Sequence, residues 1–196
     1  ADIKPDAYGA STRAVAIIAF DKSHTTYQAR GRMERLDLRR LPAQLSVPAL
    51  DSTLAFEYDV AGVDQSARGT LRFEQGRLES AEIGHGAVAR FSVGGPRPRY
   101  SFEGSLSHVD PEPLGRALQI ESLAAARFEG DLNGTFTIEG RGSRVPELDL
   151  HATGQLSPSA MFGADLPSIG FDATLAGERL TLTAQGEVND LQLDRL

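Results

Sequence analysis

The feature that most constrains this chain is an alternation of apolar and polar residues at period two, in short segments punctuated by glycine. Leu54, Phe56, Tyr58 and Val60 share one parity, while Glu57 and Asp59 take the other. Only an extended strand puts such residues on opposite faces. The same pattern recurs in 69–73 (Leu71, Phe73), 87–93 (Phe91, Val93) and 100–106 (Tyr100, Phe102, Leu106). It continues in 148–156 (Leu148, Leu150, Leu156), 169–175 (Ile169, Phe171, Leu175) and 180–188 (Leu180, Leu182). Twenty glycines and ten prolines supply the turns that many short strands need. The expected class is all-β, an antiparallel sheet of roughly a dozen strands with one apolar and one wet face.

The longest regular stretch runs from 124 to 140. Phe128, Leu132, Phe136 and Ile138 keep one parity, and Glu129, Asp131, Asn133, Thr135, Thr137 and Glu139 keep the other. Asn133-Gly134 is a hairpin signal, but folding there would oppose Asp131 to Phe136 and mix the faces. The parity therefore predicts one long strand, bent or bulged at its glycines. Helix is expected only in short connections. Asp110 can cap a helix that begins at Pro111 and turns Leu114 and Leu118 to one side. Residues 38–45 form a weaker counterpart.

The strands are arranged in a repeat. Gly31, Met33, Leu36, Asp37 and Leu41 correspond to Gly104, Leu106, Val109, Asp110 and Leu114, and all of these but Asp37 again to Gly186, Val188, Leu191 and Leu196. The three glycines lie 73 and 82 residues apart. Residues 52–62 match 132–142, and 67–71 match 152–156. The units run approximately 27–99, 100–181 and the start of a third at 182–196, about five strands each. A one-sided sheet must hide its apolar face by closing into a barrel, stacking as a sandwich, or curling around something apolar. Periodicity on this scale favours an elongated curled sheet that each unit extends. At about 4.8 Å per strand, a dozen strands reach roughly 55–60 Å, a trough suited to acyl chains.

Catalytic chemistry is not legible in the sequence. Cysteine is absent, which removes disulfides, thiolate metal sites and a thiol nucleophile. His24, His85, His108 and His151 stand at no metal-ligand spacing, and each reads as a turn or solvated residue. A calcium site at Asp110 and Glu112 is a weak candidate. No serine occupies a nucleophile elbow, and no phosphate-binding glycine loop precedes a helix. A net charge of −7 without a basic stripe disfavours nucleic acid. The longest apolar run, Ala14 to Phe20, is far too short for a membrane-spanning helix. The chain starts at Ala1 and ends within the repeated motif, so it is read as a piece of a longer protein.

Two stretches, Tyr100-Ser-Phe-Glu-Gly-Ser-Leu-Ser-His-Val-Asp-Pro-Glu-Pro-Leu-Gly-Arg-Ala-Leu118 and Phe128-Glu-Gly-Asp-Leu-Asn-Gly-Thr-Phe-Thr-Ile-Glu-Gly-Arg-Gly142, resemble the AsmA/TamB family of bacterial envelope proteins. The resemblance is one of pattern and spans the chain from about Tyr27. It implies a taco-shaped β-groove in the periplasm, held by an inner-membrane anchor outside this chain, that shields phospholipid between the two membranes. It also implies contact with outer-membrane assembly proteins. The expected function is a lipid conduit without cofactor, metal or enzymatic activity. Its lining would be the apolar residues named above from Leu54 to Leu182. The alternatives are a scaffold that offers strand edges to outer-membrane clients, or a closed sandwich or barrel whose same residues are plain core.

Overall fold

A computed structural model describes residues 2–3, 6–7, 10–21, 23–41, 48–121, 123–142, 147–177 and 179–190. The chain is all-β. Its strands are β1 (Asp2–Ile3), β2 (Asp6–Ala7), β3 (Ala10–Phe20), β4 (Thr25–Leu36), β5 (Ser52–Val63), β6 (Ser66–Leu78), β7 (Ala81–Ile83) and β8 (Val88–Val93), then β9 (Arg99–Val109), β10 (Gly130–Arg141), β11 (Asp149–Leu156), β12 (Ser159–Met161), β13 (Ala164–Ala176) and β14 (Arg179–Asn189). Among the described residues one α-helix, α1 (Pro111–Leu118), lies between β9 and β10.

All 14 strands belong to one antiparallel sheet, in the order β1-β3-β4-β5-β6-β7-β9-β10-β11-β13-β12. β8 lies between β6 and β9, β2 pairs with β3, and β14 pairs with β13. Among the described residues β14 has no strand on its other side, and β3 meets only β4 and the two-residue β1 and β2. Among the described residues the ends of the sheet are therefore not hydrogen-bonded to each other and close no barrel. Ten of the 14 are long strands; the other four, β1, β2, β7 and β12, have two or three residues each and are too brief to register as periodicity.

Register keeps the faces pure, because antiparallel partners point to the same side. One row runs Met33–Phe56–Phe73 across β4, β5 and β6. A second runs Phe102–Ile138–Ala152–Ala173–Leu182 from β9 to β14. One residue along, the rows are Arg32–Glu57–Arg72 and Ser101–Glu139–His151–Thr174–Thr181. One face is thus apolar from end to end, and the other is polar.

The recurrence of the glycine strands reappears in the backbone. Arg35, His108 and Asp190, each four residues after Gly31, Gly104 and Gly186, have φ of 58°, 55° and 56°. A non-glycine residue in this left-handed region is uncommon. In β4 and β9 it accompanies register shifts, between Met33 and Leu36 and between Leu132 and Gly134. An aspartate cap follows both times. Asp37 accepts from the Arg39 N–H ahead of a single 3-10 turn (Leu38–Arg40), and Asp110 accepts from the Glu112 N–H ahead of α1. The expected helix over 38–45 is therefore only that turn, and 42–47 lie outside the described residues. So do Leu191 and Leu196 of the third copy.

The long strand expected over 124–140 is two pieces. Residues Ala126–Phe128 form a 3-10 turn, and β10 begins at Gly130. Two anchors override the parity. Ile120 is among the most deeply buried side chains, and the Asp110 carboxylate accepts from the Gly130 N–H (3.3 Å) as well as capping α1. The chain must return to the start of α1 before it can extend, so Phe128 leaves the strand face and packs its ring on Phe162 (5.7 Å between centroids). The hairpin signal at Asn133-Gly134 is passed over. The strand runs through it with a bulge, Gly134 taking φ 156° where a Cβ would lie 2.2 Å from the Gln155 carbonyl oxygen.

Candidate functional site

The site is the apolar face. Of the residues proposed to line it, all but Phe128 and Leu148 stand on the strands and on that face, with Leu148 immediately before β11. They are not equally accessible. Leu54, Phe56, Phe73, Phe136, Leu156, Ile169 and Leu175 are buried. Tyr58, Val60, Leu71, Phe91, Tyr100, Phe102, Leu106, Leu132, Ile138, Leu150, Phe171 and Leu180 are only partly covered, and Val93 and Leu182 are exposed.

Packing on this face runs sideways, between strands that are neighbours in the sheet or, for β6 and β9, one strand apart. One cluster joins Leu36, Leu54, Phe56, Phe73 and Ile83, and another joins Phe136, Leu156 and Ile169. Phe102 and Leu106 touch both. Edge-to-face or tilted ring contacts hold them, Phe56–Phe73 at 5.7 Å, Phe73–Phe102 at 6.4 Å and Phe136–Phe171 at 5.5 Å. The clusters sit towards the bulged end of the strands, where the connections carrying Leu38 and Leu41 close over the first. The other end, at the hairpin turns, remains open.

A second pattern escaped the sequence reading: large side chains lie over cross-strand glycines. The ring of Tyr27 fills the space above Gly62, Phe91 that above Gly69, Tyr100 that above Gly140, and Phe171 that above Gly154. In each case the ring comes within 2.8 Å of where a Cβ would stand. The signal was present as glycines of strand parity, but naming the partner ring requires the register. Two tyrosine hydroxyls on this face find polar partners. Tyr27 Oη donates to the Ser66 carbonyl (3.0 Å), and Tyr58 Oη lies 3.2 Å from Thr12 Oγ1. Desolvation, reinforced by the Asp149 carboxylate, pushes the Tyr100 phenol above its ordinary value.

β3 was also missed as a strand. Its end carries Ile18 and Phe20 on the apolar face, but Val15 and Ile17 on the polar face, and all four are exposed, Phe20 at 79%. With apolar residues on both sides there is no alternation to read.

The polar face carries interleaved charges. A depression of about 930 Å³ over β3–β6 has Arg13, Arg30, Arg32, Glu57, Asp59 and Arg72 in its lining. Opposite charges interleave there, Arg30 with Asp59 (3.9 Å) and Arg32 with both Glu34 (3.2 Å) and Glu74. Three histidines pair with single carboxylates at the surface, His24 with Asp64, His108 with Asp131 and His151 with Asp172. His85 lies 3.1 Å from the Glu74 carbonyl oxygen. Among the described residues no cluster of three metal-ligating side chains forms, and no helix is long and apolar enough to cross a membrane. Comparison with protein-family models, with curated proteins and with solved structures gives no match.

Proposed function

We propose that the chain holds lipid, as a periplasmic segment of a conduit that shields phospholipid acyl chains between inner and outer membranes. The observation that carries this reading is a single-layer sheet, apolar across its whole width, whose large side chains stay partly exposed from β4 to β14. The sheet curls about its apolar face, the acyl chains lie against the half-covered residues, and headgroups stay in water at the hairpin rim. The driving force is non-directional. At about 0.8 kcal/mol per buried methylene, an acyl chain of roughly 16 carbons gains on the order of 12 kcal/mol before the costs of ordering it. No cofactor, metal or catalytic residue enters this function.

Native mass spectrometry of the purified chain followed by lipid extraction tests the reading. Phospholipid should co-purify, and Ile138→Asp, at a partly covered position, or Val93→Asp, at an exposed one, should lose it while keeping the β-sheet circular dichroism signal. A chain that carries no lipid and takes none up from phospholipid vesicles would remove the conduit. The stretch of β3 after Val15, which β1 and β2 do not reach, favours a second reading, a scaffold that offers this strand to an outer-membrane client. Photocrosslinks from Ile17 to protein and none to lipid would select it.

A further inference from the structure

We infer that the polar face carries an anion site at the hairpin end of β6, β8 and β9, where Arg68, Arg90 and Arg99 surround Ser92 and take a phosphate group. Register sets the geometry. Arg68 on β6 and Arg99 on β9 both oppose Ser92, and Arg90 stands two residues along β8 on the same face, opposite Thr70 and Ser101. Each arginine is therefore a cross-strand neighbour of Ser92 or about 7 Å from it along the strand. All three side chains are exposed and long enough to meet above it.

The first ground is charge left unmatched. In the adjoining depression Arg30 is held by Asp59, and Arg32 by Glu34 and Glu74. Among the described residues Arg68, Arg90 and Arg99 form no ion pair, and neither does Arg72, which continues the cluster to the wall of that depression. Asp149 is taken by Arg141 (2.8 Å). Glu57 opposite Arg72, Glu103 opposite Val88 and Glu139 opposite Ser101 border the cluster without pairing to it. The hydroxyls of Thr70, Ser92 and Ser101 also have no protein partner among the described residues. Like charges on neighbouring strands cost stability. The second ground is that the repeat does not demand them. Arg68 precedes Gly69, which Phe91 covers, and Thr153 precedes Gly154, which Phe171 covers in the same way. Arg90 and Gly170 precede the two rings. The same packing is thus built in the next unit without either cation, so a ligand, and not the scaffold, accounts for them. Guanidinium forks on three sides suit a tetrahedral oxyanion better than a flat carboxylate, which one fork saturates. The site does not depend on what the apolar face holds. Free phosphate and a phospholipid headgroup present the same chemistry, and the test separates them.

NMR of the intact chain tests this, following the arginine Nε–H signals at constant ionic strength with sodium phosphate as the probe. Those of Arg68, Arg90 and Arg99 should shift together and saturate with a Kd below about 2 mM, while those of Arg30 and Arg32 stay in place. Arg68→Gln and Arg90→Gln, both at exposed positions, should each weaken binding by about tenfold. Arg30→Gln, in the depression, should leave it unchanged. Cosedimentation with vesicles of phosphatidic acid in phosphatidylcholine reads the other source. Vesicle binding that the Arg68→Gln, Arg90→Gln double variant abolishes identifies a headgroup, and phosphate binding without vesicle binding identifies the free ion. No saturable shift up to about 20 mM phosphate together with no vesicle binding overturns the proposal. So does binding that survives in the double variant, or shifts spread evenly over all the arginines.

Discussion

Replacing Phe136 by alanine tests whether a sheet one layer thick can hold a core of its own. Phe136 is 8% exposed, opposes Gly104 on one side and Gly154 on the other, and has its ring 5.5 Å from that of Phe171. Glycine partners have no side chains with which to refill the space. Losing the phenyl group withdraws roughly 120 Å² of apolar burial, worth about 3 kcal/mol at ~25 cal/mol per Å². The ring contact adds about 0.5–1 kcal/mol. The expected cost is therefore about 3–4 kcal/mol, within the range for buried phenylalanine. In urea, with a slope of about 2 kcal/mol/M, the midpoint should fall by roughly 1.5–2 M. Val93→Ala, at a position 39% exposed, should cost less than about 1 kcal/mol. A Phe136→Ala midpoint within about 0.5 M of wild type would refute the division of the face into a packed floor and an open rim. It would mean that the clusters around Phe56 and Phe136 contribute no more than surface residues do.

Three further outcomes follow from the geometry. Gly140→Ala should destabilise by about 1–3 kcal/mol, because the new Cβ would stand 2.2 Å from the Tyr100 ring; thermal melts should recover most of that loss in a Tyr100→Ala background. Asp110→Ala removes both the α1 cap and the acceptor for the Gly130 N–H, so chemical denaturation should report a loss of about 1–2 kcal/mol. Asp64 has its pKa held below 3.8 by the Thr25 N–H and by His24. Its stabilising contribution is therefore present above the unfolded value and lost as pH falls through the lower folded one. Stability curves of wild type and Asp64→Asn should differ near neutrality and converge at acid pH, and an NMR titration of the Asp64 carboxyl should give a midpoint below 3.8.

The faces of the sheet were legible because parity is a local property. Once Leu54, Phe56, Tyr58 and Val60 extend, geometry puts them together without reference to any other strand. The recurrence of Gly31, Gly104 and Gly186 was legible for the same reason. Depth was not. Phe136 and Ile138 look alike in sequence, and only register and the overlying connections make one buried and the other partly open. The strand expected through Ala126 and Phe128 failed because parity continued by composition while the Asp110–Gly130 contact, twenty residues apart, pulled the backbone into a turn. β3 was illegible for the opposite reason: Val15 and Ile17 on the wet side erase the alternation.

Rings that lie down over glycines have one more consequence. A sheet face normally presents ridges and hollows, and a flexible hydrocarbon resting on it must climb from one hollow to the next. Here Tyr27, Phe91, Tyr100 and Phe171 fill hollows above Gly62, Gly69, Gly140 and Gly154, so the relief is planed down. Low corrugation at these four positions means low friction for a hydrocarbon moving past them. For the lipid conduit proposed above, such a surface would work as a slide rather than a lock.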